Sequence, residues 1–275
     1  MAALCRRPDR YAKPVTSVAH GCLSTGHELQ LCYDWYMIDR WDVTALALLA
    51  QAPLFSGQDT AVLHAAIPLA QPRSYERGTF IFHEGDPATI FYILQTGRVR
   101  LTQLTAEGQQ VIIRYLSPGE GLGIIVALSD TTYPVTAETV ADTQLLGWYK
   151  EDIKQLMLQY PSLALSGLNL IARRFVGLQA QFRELATERV EQRVARTLLR
   201  LVRQAGRRTD TGVLIDMPLS RQDLAEMTGT TLYTVSRILS KWEQAGLIQT
   251  SREQVIICQS HEIVVIAEDL PKRDA

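Results

Sequence analysis

The sequence has few cysteines, no long apolar run and almost no net charge, and each shortage excludes a class of protein. Its 275 residues include four cysteines, none of them in a CxxC pair. Zinc and iron–sulfur sites usually take at least two thiolates from one tight turn. We therefore expect Cys5, Cys22, Cys32 and Cys258 to be free thiols, with neither a disulfide framework nor a metal site.

No apolar run approaches the roughly 20 residues of a transmembrane helix, and the N-terminus lacks the apolar core of a signal peptide. A hydrophobic content of 47% with 21% charged residues is typical of a globular protein and not of a disordered one. The resulting expectation is a cytoplasmic protein with no membrane partner, long enough for two domains.

The net charge of −1 gives no global positive field that would point to nucleic acid. The charge is uneven, however, because residues 188–212 hold seven arginines against only three acidic residues. Such a local cluster can bind phosphates even in a neutral protein. The sequence has no recognisable nucleophile–base pair, phosphate-cradling glycine loop or metal cluster, so we do not expect an enzyme.

The sequence pattern divides the chain into successive segments. Residues 1–36 have no periodicity, and we expect either a disordered extension or translation from an upstream start codon; a redox or metal arm built on the cysteines is the alternative. Residues 37–160 begin with two helices, over 40–52 and 60–70. Short β-branched and aromatic runs between turn signals follow, which favours an antiparallel sandwich or roll. Residues 161–186 read as one long helix, 187–270 as a C-terminal domain and 271–275 as a tail.

The long helix carries a narrow apolar stripe. Its apolar residues recur at intervals of 4, 3, 4, 3, 4 and 3 from Ala164, which is a heptad seam held over three repeats. Polar residues occupy its other faces, so the seam favours a partner helix, most simply the same helix of a second copy. The alternative is that it packs on its own domain. The predicted dimer interface is Leu168, Ile171, Phe175, Leu178, Phe182 and Leu185.

Two short helices with a glycine between them follow at 221–246. Ser220 and Asp223 form a capping pair at the first helix start, and Gly229 lies where a turn residue of positive φ is needed. Val235, Ile238 and Leu239 would then be buried, which leaves a polar outer face. A helix with Thr187 as its N-cap precedes this unit, residues 207–217 read as a connector, and 246–260 as a β-hairpin. The predicted DNA-binding residues are Arg221, Thr231, Leu232, Tyr233, Ser236, Arg237, Ser240 and Lys241.

This order of parts resembles the Crp/Fnr transcription regulators, from about residue 40 to residue 270. The motifs that carry the resemblance are HEGDPATIFYILQTGRVRL, PGEGLG, ERVEQRVARTLLRL and LSRQDLAEMTGTTLYTVSRIL. It implies an α+β protein with an N-terminal antiparallel β-roll (a cupin-like jelly roll), a long dimerisation helix and a C-terminal winged helix-turn-helix. It also implies a homodimer on palindromic double-stranded DNA, with RNA polymerase as a partner if the protein is an activator. The candidate ligand-binding positions are Gly119, Glu120, Gly123, Ile124, Tyr133, Val135 and Thr136.

The chain departs from the family pattern at the ligand. Members that bind cyclic AMP have a glutamate just after the last glycine of PGEGLG and an Arg-Ser pair further on, whereas Ile124 and Val135-Thr136 stand there in this sequence. A phosphate opposite valine would be an unpaired buried charge, so we expect no cyclic nucleotide in the usual mode. Members with an iron–sulfur cluster have closely spaced N-terminal cysteines and a further one in the roll, and this chain has neither.

Two alternatives stay open for the sensor. Haem is one, with His64 or His83 as a ligand and a gas such as nitric oxide as the signal. The other is an apolar ligand, because the segment of Leu122, Ile124, Ile125, Val126 and Leu128 is unusually apolar. A filled core without any ligand is the preferred interpretation. The effector, the target genes and the direction of regulation are therefore unassigned.

In the DNA helix, Ser236 and Arg237 match one branch of the family, but Tyr233 stands where glutamate is frequent. The base sequence of the DNA half-site is therefore unassigned. The sequence predicts a dimeric, sequence-specific transcription regulator. The alternative from another class is a ligand-binding or scaffolding β-roll protein whose C-terminal helices serve dimerisation only.

Overall fold

The computed structural model describes residues 45–124, 128 and 131–270. The expectations for the N-terminal extension, Cys5, Cys22, Cys32, the tail 271–275 and the start of the first helix lie outside the described residues. Cys258 is a free, partly exposed thiol.

The described chain begins with helical residues 45–51 (α1), followed by α2 (Thr60–Ala66) and a 3-10 turn (Ile67–Leu69). Ala45, Leu49 and Phe55 are buried beneath the sheet that follows. The indole Nε1 of Trp148, in that sheet, donates a hydrogen bond of 2.8 Å to the carbonyl oxygen of Ala66. These helices are therefore fixed against the end of the sheet domain.

Two four-stranded antiparallel sheets form the roll that the sequence predicts, in the orders β1-β8-β3-β6 and β2-β7-β4-β5. Their inner faces enclose a core of large apolar side chains, including Phe82, Leu94, Leu116 and Leu145. Glycine turns with positive φ connect the strands, as at Gly119. The strands are β1 (Gln71–Tyr75), β2 (Phe80–Phe82), β3 (Ile90–Thr96), β4 (Val99–Leu104), β5 (Gln110–Leu116), β6 (Gly121–Leu122), β7 (Thr136–Thr139) and β8 (Thr143–Tyr149).

Helix α3 (Lys150–Gln159) leads into the long helix α4 (Pro161–Thr187). Pro161 lies in the first turn of α4. A proline is tolerated there because the first N–H groups of a helix have no acceptor within it. Leu163 and Gly167, near the start of α4, are its buried residues. Most of this helix therefore lies along the surface of the monomer.

The predicted boundary between α4 and the next helix is wrong. Thr187 does not cap the following helix; it ends α4, and its hydroxyl donates to the carbonyl oxygen of Arg183. Helix α5 (Val190–Ala205) begins after Arg189, whose backbone N–H donates to the side chain of Gln192 at 3.0 Å. The glutamine three residues into the helix thus caps it from inside, a signal that the Thr187 prediction overlooked.

The C-terminal part continues with α6 (Arg221–Thr228), α7 (Leu232–Gln244), the predicted hairpin β11–β12 and a last helix α8 (Ser260–Ala267). The connector expected at 207–217 holds a further hairpin instead, because Val213 and Leu214 pair with β12 and join the wing sheet. That sheet has the order β11-β12-β10-β9. Its strands are β9 (Gly206–Thr209), β10 (Gly212–Ile215), β11 (Ile248–Ser251) and β12 (Gln254–Ile257).

The roll and the C-terminal part share one hydrophobic cluster. Ile112 and Tyr115 of β5 are buried against the C-terminal core, which includes Leu198, Leu224 and Trp242. Arg100 of β4 adds an ion pair of 3.1 Å to Asp223 at the start of α6. The helix-turn-helix unit is thereby held on the outer face of the roll sheet that contains β4 and β5.

Candidate functional sites: the outer face of α7 and a cavity beside α4

The turn between α6 and α7 has the local structure that the sequence predicts. The Oγ of Ser220 accepts from the backbone N–H of Asp223 at 3.0 Å, and the carboxylate of Asp223 accepts from the N–H of Ser220 at 2.8 Å. Gly229 closes α6 in the left-handed region at φ 60°. The Oγ1 of Thr231 then caps α7 by accepting from the N–H of Thr234. Both helices are therefore fixed by their own end residues.

Helix α7 has one buried face and one open face. Val235, Ile238, Leu239 and Trp242 are buried against the C-terminal core. On the opposite side, the side chain of Tyr233 is 76% exposed. Four other predicted DNA-binding residues on α7 or at its cap are exposed: Thr231, Leu232, Arg237 and Lys241. The remaining two on this helix, Ser236 and Ser240, are partly exposed.

The three basic residues predicted for DNA differ in their partners. Arg221 lies 3.4 Å from a carboxylate oxygen of Glu243, and Lys241 lies 3.1 Å from that of Glu191. Arg237 is exposed, and within the described part of the chain its guanidinium has no hydrogen-bond or ion-pair partner. Arg237 is therefore the cation on this face whose donors are unengaged.

Three of the seven arginines of residues 188–212 have partners within the protein that the sequence alone did not indicate. Arg196 pairs with Glu188 and Glu268, and Arg200 pairs with Glu184. Arg193 donates to backbone carbonyl oxygens. These three side chains connect parts of the monomer to each other. Fewer than seven arginines of this segment are therefore free to bind phosphates.

A cavity of about 710 Å³ lies between the roll and α4. Six of the seven predicted ligand positions line it. The exception is Thr136, whose Oγ1 instead accepts from the backbone N–H of Glu84 at 3.0 Å. The preferred interpretation of a filled core is thus corrected, because the apolar side chains around PGEGLG surround open space. The six predicted positions that line it are Gly119, Glu120, Gly123, Ile124, Tyr133 and Val135.

The sequence reasoning missed the charged residues of this cavity. Arg114 of β5 and Arg174 of α4 both line it, and within the described part of the chain the Nε of each is buried without a hydrogen-bond partner. Burial, together with the nearby charge of Arg114, lowers the pKa of Arg174 to about 10. Residues 167, 170, 174, 177 and 181 repeat at helical spacing on the roll side of α4, and this repeat could have indicated that Arg174 faces the roll.

The polar groups at one end of the cavity are connected to the C-terminal part. Glu120 forms an ion pair with Arg114. Its other oxygen accepts from the backbone N–H of Ser117 at 2.8 Å and from the Nε2 of Gln204, in α5, at 3.1 Å. The carboxylate therefore belongs both to the cavity and to the contact between the roll and α5.

The histidines considered for haem lie away from this cavity. His64 and His83 are exposed, and no histidine of the described residues lines it. His83 instead contacts the ring of Phe80, with ring centres 4.7 Å apart. A haem held by either side chain does not fit this site.

The seam of α4 is uncovered. The six predicted interface residues are exposed by 36% to 74%. Ile171 and Leu178 also line the cavity, so the seam and the cavity adjoin. No helix of the described residues is both long and apolar enough to cross a bilayer.

Two family models match the chain. One, a cyclic nucleotide-binding domain, matches residues 72–160, and the other, a Crp-like helix-turn-helix domain, matches residues 192–262. The Cyclic AMP receptor protein of Thermus thermophilus is 32% identical over 198 residues, which cover 72% of this chain and 88% of the relative. The Global nitrogen regulator of Synechococcus elongatus is 30% identical over 195 residues, covering 70% of this chain and 86% of the relative.

The fold has solved counterparts. FixK2 from Bradyrhizobium japonicum superposes with a TM-score of 0.64 at 24% identity, covering 75% of this chain and 99% of that structure. At this identity the likeness establishes the shared fold. The predicted combination of antiparallel roll, long helix and winged helix-turn-helix is confirmed.

Proposed function

Because the chain belongs to the Crp/Fnr family of DNA-binding transcription regulators, we propose that it works as a homodimer on a palindromic promoter site, under the control of a ligand in the roll cavity. The observation that carries this proposal is the outer face of α7. It offers Arg237 without a partner beside polar and aromatic side chains, on a helix whose opposite face is fully buried. A recognition helix needs this division to enter the major groove.

Arg237 is the proposed base reader. Its guanidinium has two parallel donors that match the O6 and N7 acceptors of guanine. Thr231, Ser236 and Ser240 have hydroxyls at the same face, suited to phosphate oxygens, and Lys241 and Arg221 add charge at its edges. Leu232 and Tyr233 present apolar surface that can pack on a thymine methyl group.

Dimerisation through α4 supplies the second half of the site. A parallel pairing of the seam buries apolar side chains that water now covers, and it relates the two α7 helices by a two-fold axis. Two recognition helices so related contact two half-sites of opposite orientation, which is a palindrome. Gly229, in the turn before α7, lies next to Leu185 at the end of the seam. The pairing of the two α4 helices would therefore determine the position of α7.

The cavity is the proposed site of control. Ile124 and Val135 line it with apolar side chains where the usual cyclic-nucleotide mode needs a carboxylate and a guanidinium. Cyclic AMP, which the name of the Thermus relative mentions, is therefore not the proposed ligand here. Occupation of the cavity would act on DNA through the contact of Glu120 with Gln204. We further propose a cytoplasmic, non-catalytic role, with RNA polymerase as a partner if the protein activates transcription.

Selection of genomic DNA fragments by the purified full-length protein tests this function, followed by a salt titration on the best fragment. We expect one enriched palindromic motif and an affinity that falls steeply with salt, because phosphate contacts release counterions. Fragments enriched without a shared motif would instead support the scaffolding alternative, in which the C-terminal helices only dimerise. Seam variants in the same selection would tell whether the second half-site depends on the dimer.

A further inference from the structure

The charges around the cavity do not balance. Two carboxylates line it, and each has its own arginine: Glu120 pairs with Arg114, and Glu184 pairs with Arg200 at 2.6 Å. Arg173 and Arg174 are the remaining cations of the lining. Arg173 is exposed to solvent, whereas Arg174 is partly buried. Arg174 is therefore the inward cation that has no ion pair of its own among the described residues.

The hydrogen bonds of Arg174 are also incomplete. Its Nη2 donates to the carbonyl oxygen of Gly121 at 2.8 Å, which fixes the guanidinium at the roll side of α4. Its Nε is buried and has no partner among the described residues, and the same is true of Arg114. A buried donor without an acceptor is costly, and more so when it belongs to a cation next to a second cation. An anion in the cavity beside this guanidinium would offset the cost of the buried positive charge.

Apart from Gln181, the other side chains that line the cavity are mostly apolar. Phe82, Phe91, Ile93, Leu122 and Tyr133 come from the roll. The volume of about 710 Å³ lies within the range of about 300–1,000 Å³ typical of sites for small organic ligands. One fixed cation on an apolar wall matches a molecule with one anionic group and an apolar body. A strongly polar or multiply charged ligand would leave its other groups without partners.

We propose that this cavity binds an organic monocarboxylate with an apolar body, whose carboxylate is held by Arg174. The planar guanidinium meets the two carboxylate oxygens edge to edge, and the chain or ring of the acid lies against the roll side chains. Val135 offers no cation for an anionic group, so the proposed carboxylate is anchored on α4, by Arg174, and not on the roll. This inference deepens the control site proposed above and rests on that proposal only for its effect on DNA.

Calorimetry on the full-length protein without DNA tests the ligand class. Sodium octanoate and sodium phenylacetate serve as carboxylate probes, 1-octanol as the neutral counterpart of the first, and octyl phosphate as the phosphate counterpart. We expect octanoate to bind about 10- to 100-fold more tightly than octanol, since a hydrogen bond to a charged group contributes that much. Equal binding of octanoate and octanol, or no binding of either acid, would overturn the proposal. Tighter binding of octyl phosphate would overturn the carboxylate assignment.

Substitutions on α4 test the anchor. Arg174→Gln should weaken octanoate at least tenfold and leave octanol unchanged. Arg183→Gln is the matched control, because it removes the same charge from an exposed position of the same helix outside the cavity, and it should bind octanoate as the wild type does. If both variants lose affinity equally, the effect is one of overall charge and the anchor is wrong. Arg174→Lys keeps the charge but lacks the planar fork, so it should weaken octanoate less than Arg174→Gln does. It serves as the test if Arg174→Gln does not fold.

DNA binding is measured separately, so that the two proposals fail separately. Ligand-free Arg174→Gln should select the same DNA motif as the wild type. If octanoate binds through Arg174 but no motif is selected, the regulator mechanism fails and the ligand site stands. If the motif is selected but Arg174→Gln binds octanoate normally, the ligand site fails and the regulator mechanism stands.

Discussion

The Nε2 of Gln204 lies 3.1 Å from a carboxylate oxygen of Glu120 and 2.8 Å from the carbonyl oxygen of Tyr115, so a single amide joins α5 to both the cavity and the strand β5. Glu120 is at the same time the partner of Arg114 inside the cavity. An anion that attracts Arg114 competes with Glu120 for that guanidinium. The carboxylate of Glu120 is therefore placed to pass a change in the cavity to the DNA-binding part.

The first prediction is that Gln204→Leu uncouples the ligand from DNA. Octanoate should bind this variant within about twofold of the wild type, since Gln204 does not line the cavity. Allosteric couplings commonly change an affinity by about 5- to 150-fold. The change in DNA affinity that octanoate causes in the wild type should largely disappear in this variant. Fluorescence anisotropy on the selected DNA measures it with and without octanoate. An undiminished ligand effect would show that the coupling takes another route.

The second prediction concerns the dimer. Phe175→Lys places two like charges in an apolar contact at the centre of the seam, at a cost of several kcal/mol, and sedimentation should report monomer. Val176→Lys is the matched control, because Val176 is equally exposed but lies outside the heptad positions, and it should stay dimeric. A dimeric Phe175→Lys protein would mean that the seam does not form the interface.

The third prediction separates base reading from phosphate binding. Arg237→Ala should cost about 1–3 kcal/mol per half-site on the preferred DNA and relax the requirement for one guanine in each half. Lys241→Ala should weaken all sequences alike and reduce the salt slope by about one unit for each phosphate that the lysine neutralises in the wild type. Binding to mutated half-sites in a salt series distinguishes the two. An unchanged base preference in Arg237→Ala would remove the role of α7 as base reader.

The fourth prediction is that cyclic AMP and cyclic GMP bind no more than weakly. Ile124 and Val135 cannot pair with a ribose hydroxyl or a cyclic phosphate, and a phosphate against valine would lose its solvation without compensation. Calorimetry at millimolar nucleotide should be flat. A micromolar dissociation constant would contradict this expectation, and repeating the titration with Arg174→Gln would then tell whether Arg174 holds the phosphate.

The fifth prediction concerns the ion pair that holds α6 on the roll. Asp223 caps α6 by accepting from the N–H of Ser220, and it pairs with the Nη1 of the partly buried Arg100, whose Nη2 pairs with Glu138. Asp223→Ala should lower the free energy of unfolding by about 2 kcal/mol, of which the cap contributes about 1 kcal/mol. Ser220→Ala should lose only the cap. Asp216→Ala removes an ion pair whose two side chains are about 60% exposed, and it should change stability by less than about 0.5 kcal/mol. Urea unfolding measures all three.

Features with a local cause could be predicted from the sequence alone. The cap of α6 depends on Ser220 and Asp223, three residues apart, and the turn depends on Gly229 itself. The alternation along the strands and the heptad spacing of α4 likewise depend on neighbours in the chain. The fold class, the recognition helix and the exposed seam followed from these patterns because backbone geometry relates them to residues only a few positions away.

The tertiary structure decided which charges are engaged and where space remains. Seven arginines close together in sequence suggested a positive surface, yet two of the four in α5, Arg196 and Arg200, pair with Glu184, Glu188 or Glu268 from outside that helix. Arg114 and Arg174 are 60 residues apart and meet only because α4 returns along the roll. Whether apolar side chains fill a core or line a cavity depends on the distance between packed elements, and contacts distant in sequence set that distance.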